Sequence, residues 1–171
     1  MRKFGIIGYP LGHSFSPGYF NEKFKNESID AVYEKYELPV ITDLQGVIDY
    51  TPELCGFNVT IPYKEKVMSY LDSVSPEARA IGAVNVVKVT RKDNGKPYLE
   101  GFNSDVIGFH RSIKPLITPN HKKALILGTG GASKAVNHAL KQLGLDTLFV
   151  SRAQKNGTIQ YSQVTDILLE Q

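Results

Sequence analysis

The chain has 171 residues, of which 42% are hydrophobic and 22% charged, and its formal net charge is +3. This length suits one large or two small globular domains. The lysines and arginines are scattered, so no basic stripe indicates nucleic-acid binding, and no apolar run is long enough for a signal peptide or a membrane span. With a single cysteine, Cys55, which cannot form an internal disulfide, these features predict a cytoplasmic protein.

The N-terminal part of the chain alternates between strand-like and helix-like segments. Three segments have the pattern of strands: residues 3–9, 31–38 and 55–61. Three others have the pattern of helices: residues 16–27, 40–50 and 75–83. The first helix is predicted to have Ser16 as its N-cap and Pro17 in its first turn. Two further strands, at residues 83–89 and 97–103, flank an Asp-Asn-Gly turn that predicts a hairpin.

The pattern changes after residue 104. Residues 105–116 predict a helix, and residues 123–152 form one continuous strand–turn–helix–strand unit. The sequence therefore predicts an α/β protein with two domains. An N-terminal mixed α/β domain at residues 1–104 is joined, by a connector helix and linker at residues 105–120, to an incomplete Rossmann-type domain at residues 121–171.

The turn of the second domain has the composition of a phosphate-binding loop. An apolar strand leads into Gly-Thr-Gly-Gly-Ala-Ser at residues 128–133, and an amphipathic helix follows. Glycines allow a tight turn and a close backbone approach, so that amide groups at the helix N-terminus point at a phosphate. Ser133 replaces the usual last glycine, and a plain glycine turn of an α/β fold is the alternative. The flanking strand and helix favour a dinucleotide site.

The end of the next strand indicates which dinucleotide is bound. An NAD site usually has an acidic residue there, which accepts hydrogen bonds from the ribose 2′-hydroxyl. This sequence has Ser151 and Arg152 instead, with Lys155 close behind. A guanidinium can bind a 2′-phosphate through two parallel hydrogen bonds, whereas a carboxylate would repel it. The sequence therefore predicts NADP, with a solvated loop arginine as the alternative for Arg152.

Polar residues occur near the ends of several elements in the first domain. They are Ser14 and Ser16, then Asn58, Thr60 and Lys64, then Asn85, and finally Asn103 and Asp105. Two serines at a helix N-terminus predict a carboxylate site, although capping of the helix by Ser16 is an alternative. Any single asparagine is better explained as a backbone cap. The whole set favours an acidic ligand that carries several hydroxyl groups.

These segments together resemble a known enzyme family. Gly-His-Ser-Phe-Ser-Pro, Gly-Phe-Asn-Val-Thr-Ile-Pro-Tyr-Lys, Ile-Gly-Ala-Val-Asn-Val-Val, Gly-Phe-Asn-Ser-Asp and Leu-Gly-Thr-Gly-Gly-Ala-Ser follow one another in the order and spacing of shikimate dehydrogenases. The resemblance covers nearly the whole chain. It implies that an N-terminal α/β domain binds shikimate and that a Rossmann domain binds NADP(H). It also implies interconversion of 3-dehydroshikimate and shikimate on the route to aromatic amino acids.

The resemblance assigns roles residue by residue. The substrate is expected to contact Ser14, Ser16, Thr60, Lys64, Asn85 and Asp105. Lys64 and Asp105 are expected to be catalytic. NADP is expected to contact Gly128, Thr129, Gly130, Gly131, Ala132, Ser151, Arg152 and Lys155. No metal is expected. Family members continue beyond the second cofactor strand, so the resemblance implies a chain truncated within the NADP domain.

Oxidation of a secondary alcohol needs a hydride acceptor and a base for the hydroxyl proton. Lys64 is predicted to be that base and Asp105 to orient it, with a strand-end solubilising lysine as the alternative. Two other functions stay open: a related dehydrogenase that acts on quinate or uses another cofactor, and a non-catalytic ligand-binding fragment. The expected partners are small molecules, without nucleic acid or membrane, for a monomer or homodimer. The role of Asn58 is left open between ligand contact and backbone support.

Overall fold

The computed structural model describes residues 1–153 and 156–165. The chain divides into two compact units. The first contains residues 1–80 and 84–102, and the second contains residues 81–83 and those from Asn103 onward. The predicted boundary at residue 104, with its connector at residues 105–120, stays a prediction. Within the described ranges, no helix is both long and apolar enough to cross a bilayer.

The first unit contains a mixed sheet with short helices. Its strands are β1 (Arg2–Gly8), β2 (Ala31–Glu37), β3 (Leu54–Val59), β4 (Ser73–Val74), β5 (Val86–Arg91) and β6 (Pro97–Phe102). The helices are α1 (Ser16–Asn26), α2 (Leu44–Tyr50) and α3 (Pro76–Ile81), with 3-10 turns at Ile41–Asp43 and Lys66–Tyr70. The order of the six strands is β2-β1-β3-β5-β6-β4.

The direction of each strand follows from its connection. Strands β2, β1 and β3 are parallel neighbours, since α1 and α2 provide the crossovers that parallel pairing requires. Strands β5 and β6 form the predicted antiparallel hairpin, and β5 also pairs antiparallel with β3. In the parallel pair of β1 and β3, Ile6 lies opposite Asn58 and Ile7 opposite Val59. This register brings the end of β3 beside the end of β1.

Alternation of side chains along the strands supplies two apolar faces. On one face, Ile7, Phe57 and Val59 belong to a buried cluster with Leu44 and Ile48 of α2. On the other face, a cluster of Ile6, Leu11 and Tyr33 packs against the partly buried rings of Phe4, Phe20 and Phe24. The helix α1 therefore rests on β1 and β2 through aromatic side chains, although none of its residues is fully buried.

The second unit has a smaller, all-parallel sheet. Its elements are α4 (Asp105–Ile113), β7 (Lys123–Leu127), α5 (Gly131–Gln142), β8 (Asp146–Ser151) and β9 (Thr158–Gln160), and a 3-10 turn (Lys114–Leu116) follows α4. The strand order is β7-β8-β9. Ile126, Leu140 and Leu145 form its core, with Phe109 and Phe149 packed against them. A parallel pair joined by a helix is the arrangement predicted for a Rossmann-type unit.

Several predicted boundaries were wrong. The predicted strand at residues 83–89 begins only at Val86, because the Val84 amide donates to the Lys64 carbonyl (2.7 Å) rather than to a neighbouring strand. The predicted strand at residues 55–61 ends at Val59, just before Pro62, which has no N–H to donate. Strands β4 and β9 and the 3-10 turn at Lys66–Tyr70 were not predicted, since runs of two to five residues leave too little periodicity.

Candidate functional site

A cavity of about 530 Å³ opens on the first unit. Its lining includes the loop between β1 and α1, the first residue of α1 and the residues that follow β3. Three of the residues predicted to bind substrate line it: Ser14, Ser16 and Thr60. His13 and the largely exposed side chain of Ile61 lie beside them. The cavity therefore presents hydroxyl groups from two separate segments of the chain.

Backbone contacts join these two segments where β1 and β3 end. The Thr60 amide donates to the Ile7 carbonyl (2.9 Å), and the Tyr9 amide donates to the Ile61 carbonyl (3.0 Å). Gly8 lies between them in close contact, since an added Cβ would come within 2.5 Å of the Thr60 methyl carbon and 2.9 Å of the Ile61 carbonyl oxygen. A side chain at residue 8 would therefore push the loop away from Thr60.

Two charged side chains of β2 contact the backbone of the loop between β1 and α1. The Leu11 amide donates to a carboxylate oxygen of Glu37 (3.1 Å), and the Lys35 ammonium lies 3.5 Å from the Gly12 carbonyl oxygen. The loop is also closed on itself, because the Ser14 amide donates to the Leu11 carbonyl (3.1 Å). These bonds fix the backbone that presents Ser14 to the cavity.

The prediction that Ser16 caps α1 was wrong. The helix begins at Ser16, and the residue before it, Phe15, occupies the N-cap position without a side-chain capping bond. Phe15 already has helical backbone angles, which leaves Ser16 inside the first turn, where its hydroxyl cannot act as an N-cap. The Ser16 side chain instead lines the cavity. Pro17 lies in the first turn, as predicted.

Both polar atoms of the Asn58 side chain form hydrogen bonds with other residues of the protein. The Tyr33 hydroxyl donates to Asn58 Oδ1 (2.6 Å), and Asn58 Nδ2 donates to the Asn85 carbonyl (3.3 Å). The same carbonyl accepts from the Val59 amide (2.9 Å), so the side chain of Asn58 supplements the pairing of β3 with the segment before β5. Asn58 therefore supports the backbone here, which was one of the two roles left open.

Lys64 and Asn85 belong to the first unit but do not line this cavity. Lys64 is partly buried, and its carbonyl fixes the start of the segment that leads to Asn85. Its neighbour Tyr63 is almost completely buried and donates a hydrogen bond to the Leu38 carbonyl (2.6 Å). Asn85 is 7% exposed, and its amide donates to the Phe102 carbonyl (3.0 Å). Tyr63 directly precedes Lys64, and that position was its only signal in the sequence. Tyr33 and Glu37 lie in β2, away from the polar segments, and no sequence pattern indicated them.

The second unit presents Asp105 at the first residue of α4. Asn103 holds this helix end: its Oδ1 accepts from the amides of Asp105 (3.0 Å) and Val106 (3.3 Å), while its Nδ2 donates to the Ala83 carbonyl (2.9 Å). Asn103 is 4% exposed. Of the polar residues near element ends, this one acts as a backbone cap, and Asp105 is left partly exposed beside it.

The glycine-rich turn has a backbone conformation that requires glycine at its start. Gly128 has a φ of +116°, a conformation that L side chains rarely adopt, and its amide donates to the Val150 carbonyl (2.8 Å). Gly130 precedes α5 with extended backbone, and no atom lies within 4 Å of the position that a Cβ would take. The first amides of α5 follow directly. Thr129, Gly131 and Ala132 complete the predicted segment.

The end of β8 carries the residues predicted to choose the cofactor. Ser151 is its last residue and is buried, and Arg152 follows it on the surface. Neither is acidic, so the negative charge typical of an NAD site is absent at this strand end. Lys155, predicted to assist Arg152, lies outside the described residues. Among the residues that the structure describes, no group of His, Cys, Asp or Glu could hold a metal ion.

Comparison with known proteins places these features in one family. Residues 6–87 match the model of the shikimate dehydrogenase substrate binding domain. An NADP⁺-dependent shikimate dehydrogenase of Caldicellulosiruptor saccharolyticus is 40% identical over 155 residues, which are 88% of this chain and 54% of that protein. The resemblance to shikimate dehydrogenases is confirmed. The chain spans about half the length of the curated relatives it matches. It covers 54% and 48% of two other shikimate dehydrogenases.

Solved shikimate dehydrogenases have the same fold over most of the chain. The Peptoclostridium difficile enzyme aligns with a TM-score of 0.78 and 36% identity, over 94% of this chain and 60% of that one. The Thermus thermophilus enzyme, solved with NADP(H) and shikimate, aligns with a TM-score of 0.75 and 36% identity. The alignment covers 90% of this chain and 57% of that one. These structures support the fold predicted from the sequence, a mixed α/β domain followed by a Rossmann-type unit.

The family match divides the predicted site residues into two groups. The matched segment at residues 6–87 contains Ser14, Ser16, Thr60, Lys64 and Asn85. Asp105 and the glycine-rich turn lie beyond it, in the region covered by the alignments to whole shikimate dehydrogenases. Five of the six predicted substrate residues therefore lie within a dedicated domain match, whereas Asp105 and the glycine-rich turn lie only within the longer alignments.

Proposed function

We propose that this chain carries the shikimate-binding unit and the first cofactor strands of an NADP-dependent shikimate dehydrogenase. The observation that carries the proposal is the cavity that brings Ser14, Ser16 and Thr60 together inside the segment matched to the family's substrate domain. Hydroxyl groups from two segments suit a ligand with a carboxylate at one end and hydroxyls at the other. The reaction proposed is the reversible reduction of 3-dehydroshikimate to shikimate, which serves aromatic amino-acid synthesis in the cytoplasm.

Substrate recognition follows from the chemistry of these groups. The hydroxyls of Ser14 and Ser16 donate to the substrate carboxylate at the N-terminal end of α1, where the helix dipole favours negative charge. Thr60 binds a ring hydroxyl across the cavity. Asn85 and Asp105 are proposed to bind the remaining hydroxyls, as the family resemblance implies. Binding of this kind fixes which face of the ring meets the cofactor.

The proton and the hydride are proposed to be transferred by different groups. Lys64 is proposed to take the proton of the reacting hydroxyl when shikimate is oxidised, and to return it to the ketone oxygen in the other direction. Asp105 is proposed to orient the lysine. NADP, when bound, accepts or supplies the hydride. Only the proton passes through side chains of this chain.

The residues of the second unit fit NADP. The positive φ of Gly128 and the open space at Gly130 let a pyrophosphate approach the first amides of α5. Arg152, on the surface after β8, is proposed to bind the 2′-phosphate, and Lys155, three positions later in the sequence, is proposed to assist it. Gly131, Ala132, Thr129 and Ser151 complete the proposed contacts through the backbone and the strand end.

Binding and turnover by the 171-residue protein test the proposal. Calorimetry with shikimate and with NADP⁺ should give saturable binding of each, and mixing both should reduce NADP⁺. Saturable binding without turnover would favour the ligand-binding alternative. Turnover of quinate in preference to shikimate, or of NAD⁺ in preference to NADP⁺, would favour the related dehydrogenase. Absence of any shikimate binding would contradict the proposal.

A further inference from the structure

We propose that Tyr33 is a positioning residue for the substrate cavity. Its backbone is bonded to Asn21 of α1 and its hydroxyl to Asn58 on β3, and we infer that it sets the distance between the α1 and β3 sides of the cavity. The inference rests on the proposed function, because it takes Ser16 as a contact of the substrate carboxylate. Tyr33 itself does not line the cavity, so its effect must pass through these two neighbours.

The backbone of Tyr33 fastens α1 to the sheet. Strand β2 lies at the edge of the sheet, and its outer amides and carbonyls have no neighbouring strand within the described part of the chain. Asn21 of α1 supplies the missing partner, since its Nδ2 donates to the Tyr33 carbonyl (2.9 Å) and its Oδ1 accepts from the Tyr33 amide (2.8 Å). The ring of Phe20 stacks on that of Tyr33, with centroids 4.7 Å apart. The height of α1 above the sheet is therefore fixed at this residue.

The hydroxyl of Tyr33 adds a lateral connection. It donates to Asn58 Oδ1 at 2.6 Å, and Asn58 in turn donates to the Asn85 carbonyl. Burial raises the pKa of the Tyr33 hydroxyl well above its ordinary value. The group therefore stays protonated and can donate to Asn58.

Tyr33 connects the two elements that border the cavity, α1 and β3. Ser16 lies on α1, and Thr60 comes directly after β3, so Tyr33 links the helix that carries Ser16 to the strand that leads to Thr60. The ring and backbone of Tyr33 hold α1 in place, whereas its hydroxyl makes the hydrogen bond to β3. Removing the hydroxyl alone should therefore leave the fold intact and loosen the position of Ser16 relative to Thr60.

Tyr33→Phe isolates this hydroxyl, because phenylalanine retains the ring that stacks on Phe20 and the backbone that bonds Asn21. Tyr36→Phe is the matched control: it removes a hydroxyl from the same strand, where the partner is the Glu34 carboxylate at 2.7 Å. Shikimate and NADP⁺ affinities of both variants would be measured by calorimetry, with thermal unfolding as a check. Tyr33→Phe should weaken shikimate binding by about 3- to 10-fold, the usual effect of one lost hydrogen bond. NADP⁺ binding, and both affinities of Tyr36→Phe, should stay unchanged.

A second measurement tests the route of the effect. In an Asn58→Ala background, Tyr33→Phe should cause a smaller loss of shikimate affinity than in the wild-type chain, because the two residues act through one contact. Fully additive losses would overturn the inference. So would an unchanged shikimate affinity in Tyr33→Phe, or a variant that no longer folds, since the hydroxyl would then serve stability alone. If the wild-type chain binds no shikimate, the proposed function fails first and the inference fails with it.

Discussion

The two units build their candidate sites in opposite ways. In the first unit, the cavity is made by side chains from segments far apart in sequence, which the register of β1 and β3 brings together. In the second, the glycine-rich turn is one short continuous segment whose shape depends on backbone angles such as the positive φ of Gly128. The first site should therefore be sensitive to the loss of single functional groups. The second should be sensitive to any side chain that forbids the backbone conformation.

The largest effect is expected at Lys64. Lys64→Ala should lower kcat for shikimate oxidation by about 10²- to 10⁴-fold, the usual contribution of general acid–base catalysis, with little change in KM. Steady-state kinetics with NADP⁺ would measure it. Lys66→Ala removes an exposed lysine two residues further on and serves as the control. An unchanged kcat in Lys64→Ala would remove this residue from the chemistry.

Arg152 should give the next largest effect. Arg152→Ala should weaken NADP⁺ binding by about 10- to 100-fold, as expected for lost hydrogen bonds to a charged group, and should leave NAD⁺ binding nearly unchanged. Arg111→Ala, a change at an exposed arginine of α4, is the control. Comparison of the affinities for the two dinucleotides decides the assignment, and an unaltered preference would identify Arg152 as a solvated loop residue.

Gly128 tests the backbone half of the comparison. Gly128→Ala places a Cβ on a residue with a φ of +116°, and strain of about 1–3 kcal/mol should weaken NADP⁺ binding by about tenfold while shikimate binding persists. Gly108→Ala is the matched control, because that glycine lies inside α4 and no atom lies within 4 Å of its added Cβ. Equal NADP⁺ affinities in the two variants would show that the turn does not need its conformation for binding.

The same contrast explains what the sequence could predict. The strand–turn–helix–strand unit was predictable because its signals are adjacent: an apolar strand, glycines and an amphipathic helix in succession. The cavity was predictable only in part. Ser14, Ser16 and Thr60 stood out as polar residues near element ends, and the structure brings them together.

The side chains that support the cavity could not be found in this way. Glu37 holds Leu11 and Tyr33 holds Asn58, and both partners lie more than 20 positions away in the sequence. Such contacts depend on which strands become neighbours, and no local pattern in β2 records the pairing. The N-cap prediction for Ser16 failed for a related reason. A serine followed by proline suits a cap, but Phe15 already has helical backbone angles, so the helix begins at Ser16.

Ser14 gives the smallest effect and the sharpest test of the side-chain half of the comparison. Ser14→Ala removes one donor from the proposed carboxylate contact, so KM or Kd for shikimate should rise by about 3- to 10-fold, with kcat and NADP⁺ affinity nearly unchanged. Ser112→Ala is the control, since that hydroxyl donates to the Gly108 carbonyl within α4. The loop backbone should survive the change, because the Ser14 amide, and not its hydroxyl, bonds the Leu11 carbonyl. A fall in kcat alone would therefore place Ser14 nearer the reacting atoms than the carboxylate, and the orientation of shikimate in the cavity would have to be reversed.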